Sequence, residues 1–233
     1  MGMNIGFISD LHAPYHHPDA LDFIARIKKV YKIERWISLG DEADKHALSF
    51  HESDADLYSA GHELREVRGV FSDLSRMLPV LDILESNHGS LIMRKALSHG
   101  MPRDYIKSYQ EIYGVPDTWR WHFDMTIRLD NGSQLYLHHG KSADVYKLSQ
   151  AQGMCAVQGH FHEKFNIHYW GNSLGLYWGM QCGCLVDPKS LAFAYNKNNL
   201  KRPIIGTGVI IDDQPLLIPM ILNKRGRWVG RID

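Results

Sequence analysis

Five short segments of the chain carry acidic, imidazole or amide side chains at spacings that let several converge on one cation. They are Asp10-Leu-His12, Gly40-Asp41-Glu-Ala-Asp44, Ser86-Asn87-His88, His138-His139-Gly140 and Gly159-His160-Phe-His162. In an extended chain, residues i and i+2 point the same way. Asp10 with His12, and His160 with His162, each therefore bring two donors to one side. Carboxylate, imidazole and amide together form a borderline-hard set, suited to Mn²⁺, Fe, Zn²⁺ or Ni²⁺ better than to Ca²⁺ or Mg²⁺. None of the five segments contains cysteine, which argues against a cysteine-type structural zinc. The donors exceed the needs of one tetrahedral site, which points to two metals. Taken singly each pattern is common; the ordered set is not.

Each segment stands at the end of a predicted strand. The apolar runs Met3–Ser9, Glu34–Leu39 and Val80–Leu84 stop at Asp10, at Gly40-Asp41 and just before Asn87-His88. Pro18 opens a helix through Tyr31. Three- and four-residue spacing of apolar positions between Leu57 and Leu78 predicts a second, longer helix. The first half therefore reads βαβαβ, which favours a parallel sheet with right-handed crossovers. In such sheets ligands bind outside the carboxyl ends of the strands. Residues 90–124 show helical stretches, the aromatics Tyr105, Tyr109, Tyr113, Trp119 and Trp121, and no clear strand. They read as an insertion over one end of the sheet, whose aromatics either stack bases or form the core of a small cap. Thr126–Asp130 and Gln134–His138 flank Asn131-Gly132, a strong hairpin signal. A short strand at Ala156–Gln158 follows. Further hairpins pair Phe165–Trp170 with Leu174–Gln181 and Gly208–Ile211 with Leu216–Leu222. With no repeat, low-complexity tract or linker, the expectation is one α/β domain over residues 1–233 built as a two-sheet sandwich.

The ordered set resembles the calcineurin-like metallophosphoesterase family. That family reads Asp-x-His, Gly-Asp-x-x-Asp, Gly-Asn-His-Asp/Glu, a strand-end His-Gly and Gly-His-x-His, and the likeness runs from Asp10 to His162. The resemblance implies a four-layer αββα sandwich with a two-metal site. It assigns Asp10, His12 and His162 to one metal, Asn87, His139 and His160 to the other, and Asp41 as the bridge. It makes His88 the group that protonates the leaving oxygen or stabilises the transition state, and it puts Asp44 behind the ligands. His139 is preferred to its neighbour His138 because it directly precedes Gly140. The run Ser86-Asn87-His88-Gly89 departs from the family pattern: Ser86 replaces a glycine, and no acid follows His88. Either Asp44 or Glu85 orients His88, or its role differs. The implied activity is hydrolysis of a phosphate ester by in-line attack of a metal-bridging hydroxide, with Mn²⁺ first among the metals and Fe, Zn²⁺ or Ni²⁺ as alternatives.

Composition narrows the remaining classes. Of the 233 residues, 44% are hydrophobic, enough for a real core, so the chain is not disordered. Lys+Arg and Asp+Glu both number 26, and this zero net charge argues against coating nucleic acid by bulk electrostatics. No apolar run approaches the ~20 residues of a membrane span. The N-terminal run lacks the basic lead of a signal peptide. The three cysteines, Cys155, Cys182 and Cys184, form no disulfide framework. These features fit the cytoplasm. Of the 14 histidines, five belong to the assigned site, and His46, His51, His62, His99, His122 and His168 read as ordinary surface or core residues. Candidate substrate contacts are Lys141 after His139-Gly140, Arg94 beside Lys95, and His17 beside His16. The basic and aromatic tail Asn223–Arg231 suits either nucleic acid or a charged edge strand. The leading expectation is a phosphodiesterase acting on nucleic acid or a nucleotide. The alternatives are a phosphomonoesterase, such as a Ser/Thr or nucleotide phosphatase, and a catalytically idle fold used as a binding module.

Overall fold

Parallel strands must be covered on both faces, and the chain provides that cover from two directions. The computed structural model describes residues 2–50, 56–190 and 201–232. Strands β1 (Ile5–Ile8), β2 (Arg35–Ser38) and β3 (Leu81–Leu84) pair in parallel, as their apolar runs predict. Helices α1 (Ala20–Tyr31) and α2 (Ala60–Met77) make the crossovers. The Ser59 side chain caps α2 by accepting the His62 N–H. Its buried residues Glu63, Val67, Phe71 and Leu74 form one stripe.

Residues 91–113 hold α3 (Leu91–Ser98) and α4 (Tyr109–Tyr113), and the segment then ends in a strand, β4 (Trp119–His122), parallel to β3. No strand is expected there from sequence. Its four residues alternate aromatic and polar, too short a run to reveal its period, and it lies at the sheet edge. Trp119 and Tyr113 are buried and pack against Phe71 of α2, at ring separations of 5.4 and 5.0 Å. These aromatics are core, leaving only Tyr105 fully outside.

The second sheet has the order β5 (Met125–Arg128), β6 (Gln134–His138), β7 (Cys155–Gln158), β9 (Gly175–Cys182), β8 (Phe165–Asn172). Its hairpins β5–β6 and β8–β9 are antiparallel as expected, but β6, β7 and β9 run parallel. A short helix, α5 (Val145–Gln152), supplies the crossover. Its polar sequence buries only Val145, Leu148 and Ser149, too few positions to show a periodic stripe. The last hairpin, β10 (Gly206–Ile211) and β11 (Gln214–Pro219), returns to the first sheet, with β10 antiparallel to β1.

Alternation along the strands separates the layers. Ile5, Phe7, Ile37 and Leu39 meet Leu135, Leu137, Val157 and Met180 between the sheets. Ile8, Trp36 and Ile83 face α1 and α2 instead. Tyr136 and Ala156 meet Leu148 of α5 on the far side. The order is helix, sheet, sheet, helix. Among the described residues, no helix is long and apolar enough to cross a membrane.

The inter-sheet core draws on both halves of the chain, so neither half can bury its sheet alone. Leu137 is fully buried there. Leu137→Ala is expected to cost about 2–5 kcal/mol in one cooperative transition, read by denaturant unfolding with two spectroscopic probes. Two separated transitions would mean that the halves fold independently.

Candidate metal centre

The carboxyl ends of β1, β2 and β3 meet those of β6 and β7, and the predicted donors lie just beyond them. Turning so sharply at a strand end strains the backbone. Of the eight non-glycine residues with positive φ among the described residues, five lie here: Asp10, His12, Asp41, Lys45 and His160. Each such position costs on the order of 1–3 kcal/mol, and such strain clusters at functional sites. Two glycines allow the approach. Gly40 has φ +96°, and a Cβ there would stand 2.8 Å from both His139 Nδ1 and Ser86 Cβ. A Cβ on Gly159 would stand 2.3 Å from Asp10 Oδ2.

Asp10, His12 and His162 form one group whose donor atoms lie within 4.8 Å of one another; Asp41, His139 and His160 form a second. Asp41 Oδ2 reaches both, at 3.4 Å from His12 Nε2 and 3.3 Å from His139 Nε2. Asn87 Oδ1 is 2.8 Å from His139 Nε2, and His160 Nδ1 is 3.1 Å from the same nitrogen. His162 Nε2 lies 3.4 Å from Asp10 Oδ1. The His160 N–H donates to the Asp10 carboxylate, 2.9 Å from either oxygen, tying the first sheet to the second.

Hydrogen bonds behind the donors fix which nitrogen each imidazole presents. His12 Nδ1–H donates to Asp44 Oδ1 at 2.6 Å, and His139 Nδ1–H donates to the Leu39 carbonyl at 2.8 Å. A carbonyl or ionised carboxylate only accepts, so in the neutral ring, the form that binds a metal, Nε2 carries the lone pair turned toward the cluster. This arrangement suits cation binding. His88 is oriented in the same way: Nδ1–H donates to the Asp44 carbonyl oxygen, and Asp44 Oδ1 is 3.6 Å away. Asp44 therefore takes the place of an acid after His88, while Glu85 is engaged by the Tyr109 hydroxyl. The His88 side chain stays 29% exposed, against 2% for His12 and 3% for Asp44. It opens to solvent at the edge of the cluster.

Charge follows the same plan. Burial would raise the Asp41 carboxyl, but His139, His88 and His12 hold it well below the usual range. Burial likewise opposes ionised Asp10, and His162 and His139 outweigh it. Burial disfavours the His139 imidazolium, yet Asp41 and Asp10 raise its pKa to about 9. His162 is raised by Asp10 against its own burial. His160 is lowered by burial and by His139. Two buried, ionised carboxylates thus draw positive charge to the cluster. Divalent cations would supply that charge to the same oxygens and nitrogens.

The seven residues assigned as ligands by the resemblance are brought together, with Asp44 behind them. His138 is not among them: its Nδ1 accepts the Gly140 N–H and its ring lies against Phe123 and Tyr136. Arg94 reaches the ligand loop, donating to the Asn87 backbone carbonyl at 2.7 Å. Lys141 does not join the cluster; its ammonium donates to the Tyr136 hydroxyl at 2.9 Å. His17 does not join either and is not in a solvated loop. It is buried, accepts the Asp19 N–H and donates to the Gly226 carbonyl. The tail is neither an edge strand nor free. Arg227 Nε donates to Asp19 Oδ2 at 2.8 Å and holds that carboxyl down to about 2, while Trp228 packs edge-on to Phe23. Of the ordinary histidines, His122 bonds to Asp82 and His62 stacks on Tyr58; His51 lies outside the described residues.

Three contributors escape sequence reasoning. Ser86 Oγ accepts the N–H groups of Asp41 and Gly89, each at 2.9 Å, joining two ligand loops. Its only signal is that it stands where the family has glycine. Glu63, hidden in the apolar stripe of α2, accepts the His46 and Ala47 N–H groups and so holds the loop after Asp44. Lys45 lies buried beneath the His88 turn.

No family model and no curated protein matches the sequence. Solved structures do share the architecture. The phosphoesterase YfcE from E. coli is 14% identical, with 97% of each chain covered and a TM-score of 0.50. The chain has the calcineurin-like metallophosphoesterase fold. Vps29 from Chaetomium thermophilum is 11% identical, covers 98% of this chain and 93% of its own, and has a TM-score of 0.49. Vps29 from Entamoeba histolytica is 11% identical, over 94% and 93%, at 0.47. At such identities the likeness concerns the metallophosphoesterase fold alone.

Gly159→Ala drives a methyl group into the Asp10 carboxylate. It is expected to remove at least one equivalent of bound metal, read by elemental analysis, while far-ultraviolet circular dichroism stays native. Burial, with Asp44 adding, raises the Glu63 carboxyl from 4.5 to about 6. A raised carboxyl contributes stability in full below its unfolded value and loses it as pH rises through the folded one. Wild type should therefore gain several degrees in Tm over Glu63→Gln as pH falls from 7 through 6 toward 4.5. A Tm difference that ignores pH would contradict this.

Proposed function

We propose that the chain is a binuclear metal-dependent phosphoesterase whose substrate is a phosphodiester in nucleic acid or a nucleotide. One observation carries the reading: a single carboxylate oxygen, Asp41 Oδ2, stands within 3.4 Å of imidazole nitrogens in two separate donor groups. In this reading Asp10, His12 and His162 hold one cation, Asn87, His139 and His160 hold the other, and Asp41 serves both. The donor chemistry favours Mn²⁺, with Fe, Zn²⁺ or Ni²⁺ as alternatives. Bound cations would supply Lewis acidity toward phosphoryl oxygens and lower the pKa of the attacking water.

The chain's own groups do the rest. His88, held at Nδ1 by Asp44, turns Nε2 to the leaving oxygen, and in its imidazolium form delivers the Nε2 proton there, leaving the neutral Nδ1–H ring. Asn87 is neutral, so it binds through its carbonyl oxygen without offsetting the positive charge of its cation. Arg94, fixed on the Asn87 backbone carbonyl, offers a guanidinium at the rim for a non-bridging phosphate oxygen. Exposed Phe50 lies under Arg94 and Lys95, at 5.5 and 5.3 Å from the two cationic groups. An aromatic ring among cations beside a phosphate site supports a nucleotide-bearing diester over a simple monoester. The three buried, unpaired thiols Cys155, Cys182 and Cys184 suit a reducing cytoplasm.

With Mn²⁺ present, bis-p-nitrophenyl phosphate should be turned over faster than p-nitrophenyl phosphate. Asp41→Asn should lose both metals and activity. His88→Ala should keep the metals and lose roughly 10²–10⁴-fold in turnover. Preference for the monoester would favour a phosphomonoesterase. No hydrolysis with any divalent cation would favour a binding module. An active preparation holding at most one ion would overturn the binuclear reading.

A further inference from the structure

Lys45 combines two unfavourable features. Lysine is seldom fully buried without a partner, and this one is only 5% exposed. A non-glycine residue seldom adopts positive φ, and Lys45 has φ 58°. No carboxylate of a described residue forms an ion pair with its ammonium. Its acceptors are instead the carbonyl oxygens of His88, at 3.0 Å, and Gly89, at 2.7 Å. The rings of Tyr109 and Tyr113 stand 5.6 and 5.5 Å from the same nitrogen. The Tyr109 hydroxyl shares its one proton between the Gly89 carbonyl, at 3.1 Å, and Glu85, at 3.2 Å.

We propose that Lys45 is a positioning residue for His88, gripping the backbone of the 88–89 turn from beneath while its neighbour Asp44 holds the imidazole. The two residues act as a pair: the Asp44 carbonyl accepts from the His88 ring, and the Lys45 ammonium donates to the His88 backbone. Without the ammonium, two inward-turned carbonyls lose a charge-assisted donor. The turn can then rotate, and the ring leaves Asp44. An apolar cavity of about 370 Å³ opens beside the ammonium, lined by Leu48, Leu64, Val67, Ile92 and Tyr113, so the two carbonyls would keep only neutral donors, the Leu91 N–H on His88 and the Tyr109 hydroxyl on Gly89. The α4 tyrosines thereby acquire a use: they form the wall of a lysine cage.

The catalytic part of this inference rests on the phosphoesterase reading of His88; the positioning part does not. The test uses full-length, zinc-loaded protein with ¹⁵N-labelled histidine. In wild type, the His88 imidazole should show the Nδ1–H form. In Lys45→Met it should shift toward averaged tautomers, with metal content unchanged. On bis-p-nitrophenyl phosphate with Mn²⁺, kcat should fall roughly 10- to 100-fold with KM little changed. Ethylammonium should restore part of the rate to Lys45→Ala, which opens onto the cavity, and propanol should not. Unchanged His88 signals in Lys45→Met would overturn the proposal. If that variant fails to fold, the same signals read in Lys45→Gln decide. An inactive wild type would sink the phosphoesterase reading, and the imidazole signals would still judge Lys45.

Discussion

Two carboxylates, Asp10 and Asp41, stay ionised although both are buried, and much of the site's architecture answers that constraint. A buried anion must be hydrogen-bonded and paired. Asp10 takes the His160 backbone N–H from the second sheet and the His162 imidazole from beyond it. Asp41 takes the His88 backbone N–H and has imidazoles from both sheets beside it. The sheets are joined across their flat faces by apolar packing, but at their carboxyl ends these anions join them. Positive charge is what the cluster recruits, whether as protons on His139 and His162 or as metal ions.

This arrangement explains why the strained residues sit where they do. A strand must end abruptly if its last side chains are to point at a shared centre rather than alternate away. Positive φ at Asp10, His12, Asp41 and His160 achieves that turn. Rigid support must then offset the strain: Ser86 bridging two loops, Asp44 behind two imidazoles, and Lys45 beneath a third loop.

The donors were legible in the sequence because they are polar residues interrupting apolar runs, in an order that resembles a known family. The parallel core strands and the hairpins were legible for the same reason of contrast. What escaped lacked contrast. Strand β4 is four residues of alternating aromatic and polar side chains, and α5 buries too little to show a stripe. Glu63 sits in a helix among many charged residues, and only tertiary packing reveals that it faces inward. Lys45 looks like any solvated lysine after an acid. His17 and Lys141 show how little nearness in sequence says about partners: the first bonds to Asp19 and Gly226, the second to Tyr136.

The latch at Asp19 has a mechanical side. Arg227 and Trp228 fasten the 223–231 turn to the start of α1, and His17 bonds to Gly226 within the same knot. Only four residues separate His17 from His12, so the knot and the first metal-binding loop are in effect one lever. Load applied to the end of the chain, by a fused domain or a surface tether, is carried through that knot before it reaches any strand. The part of the molecule most remote from the cluster in sequence is thus among the nearest to it in the transmission of force.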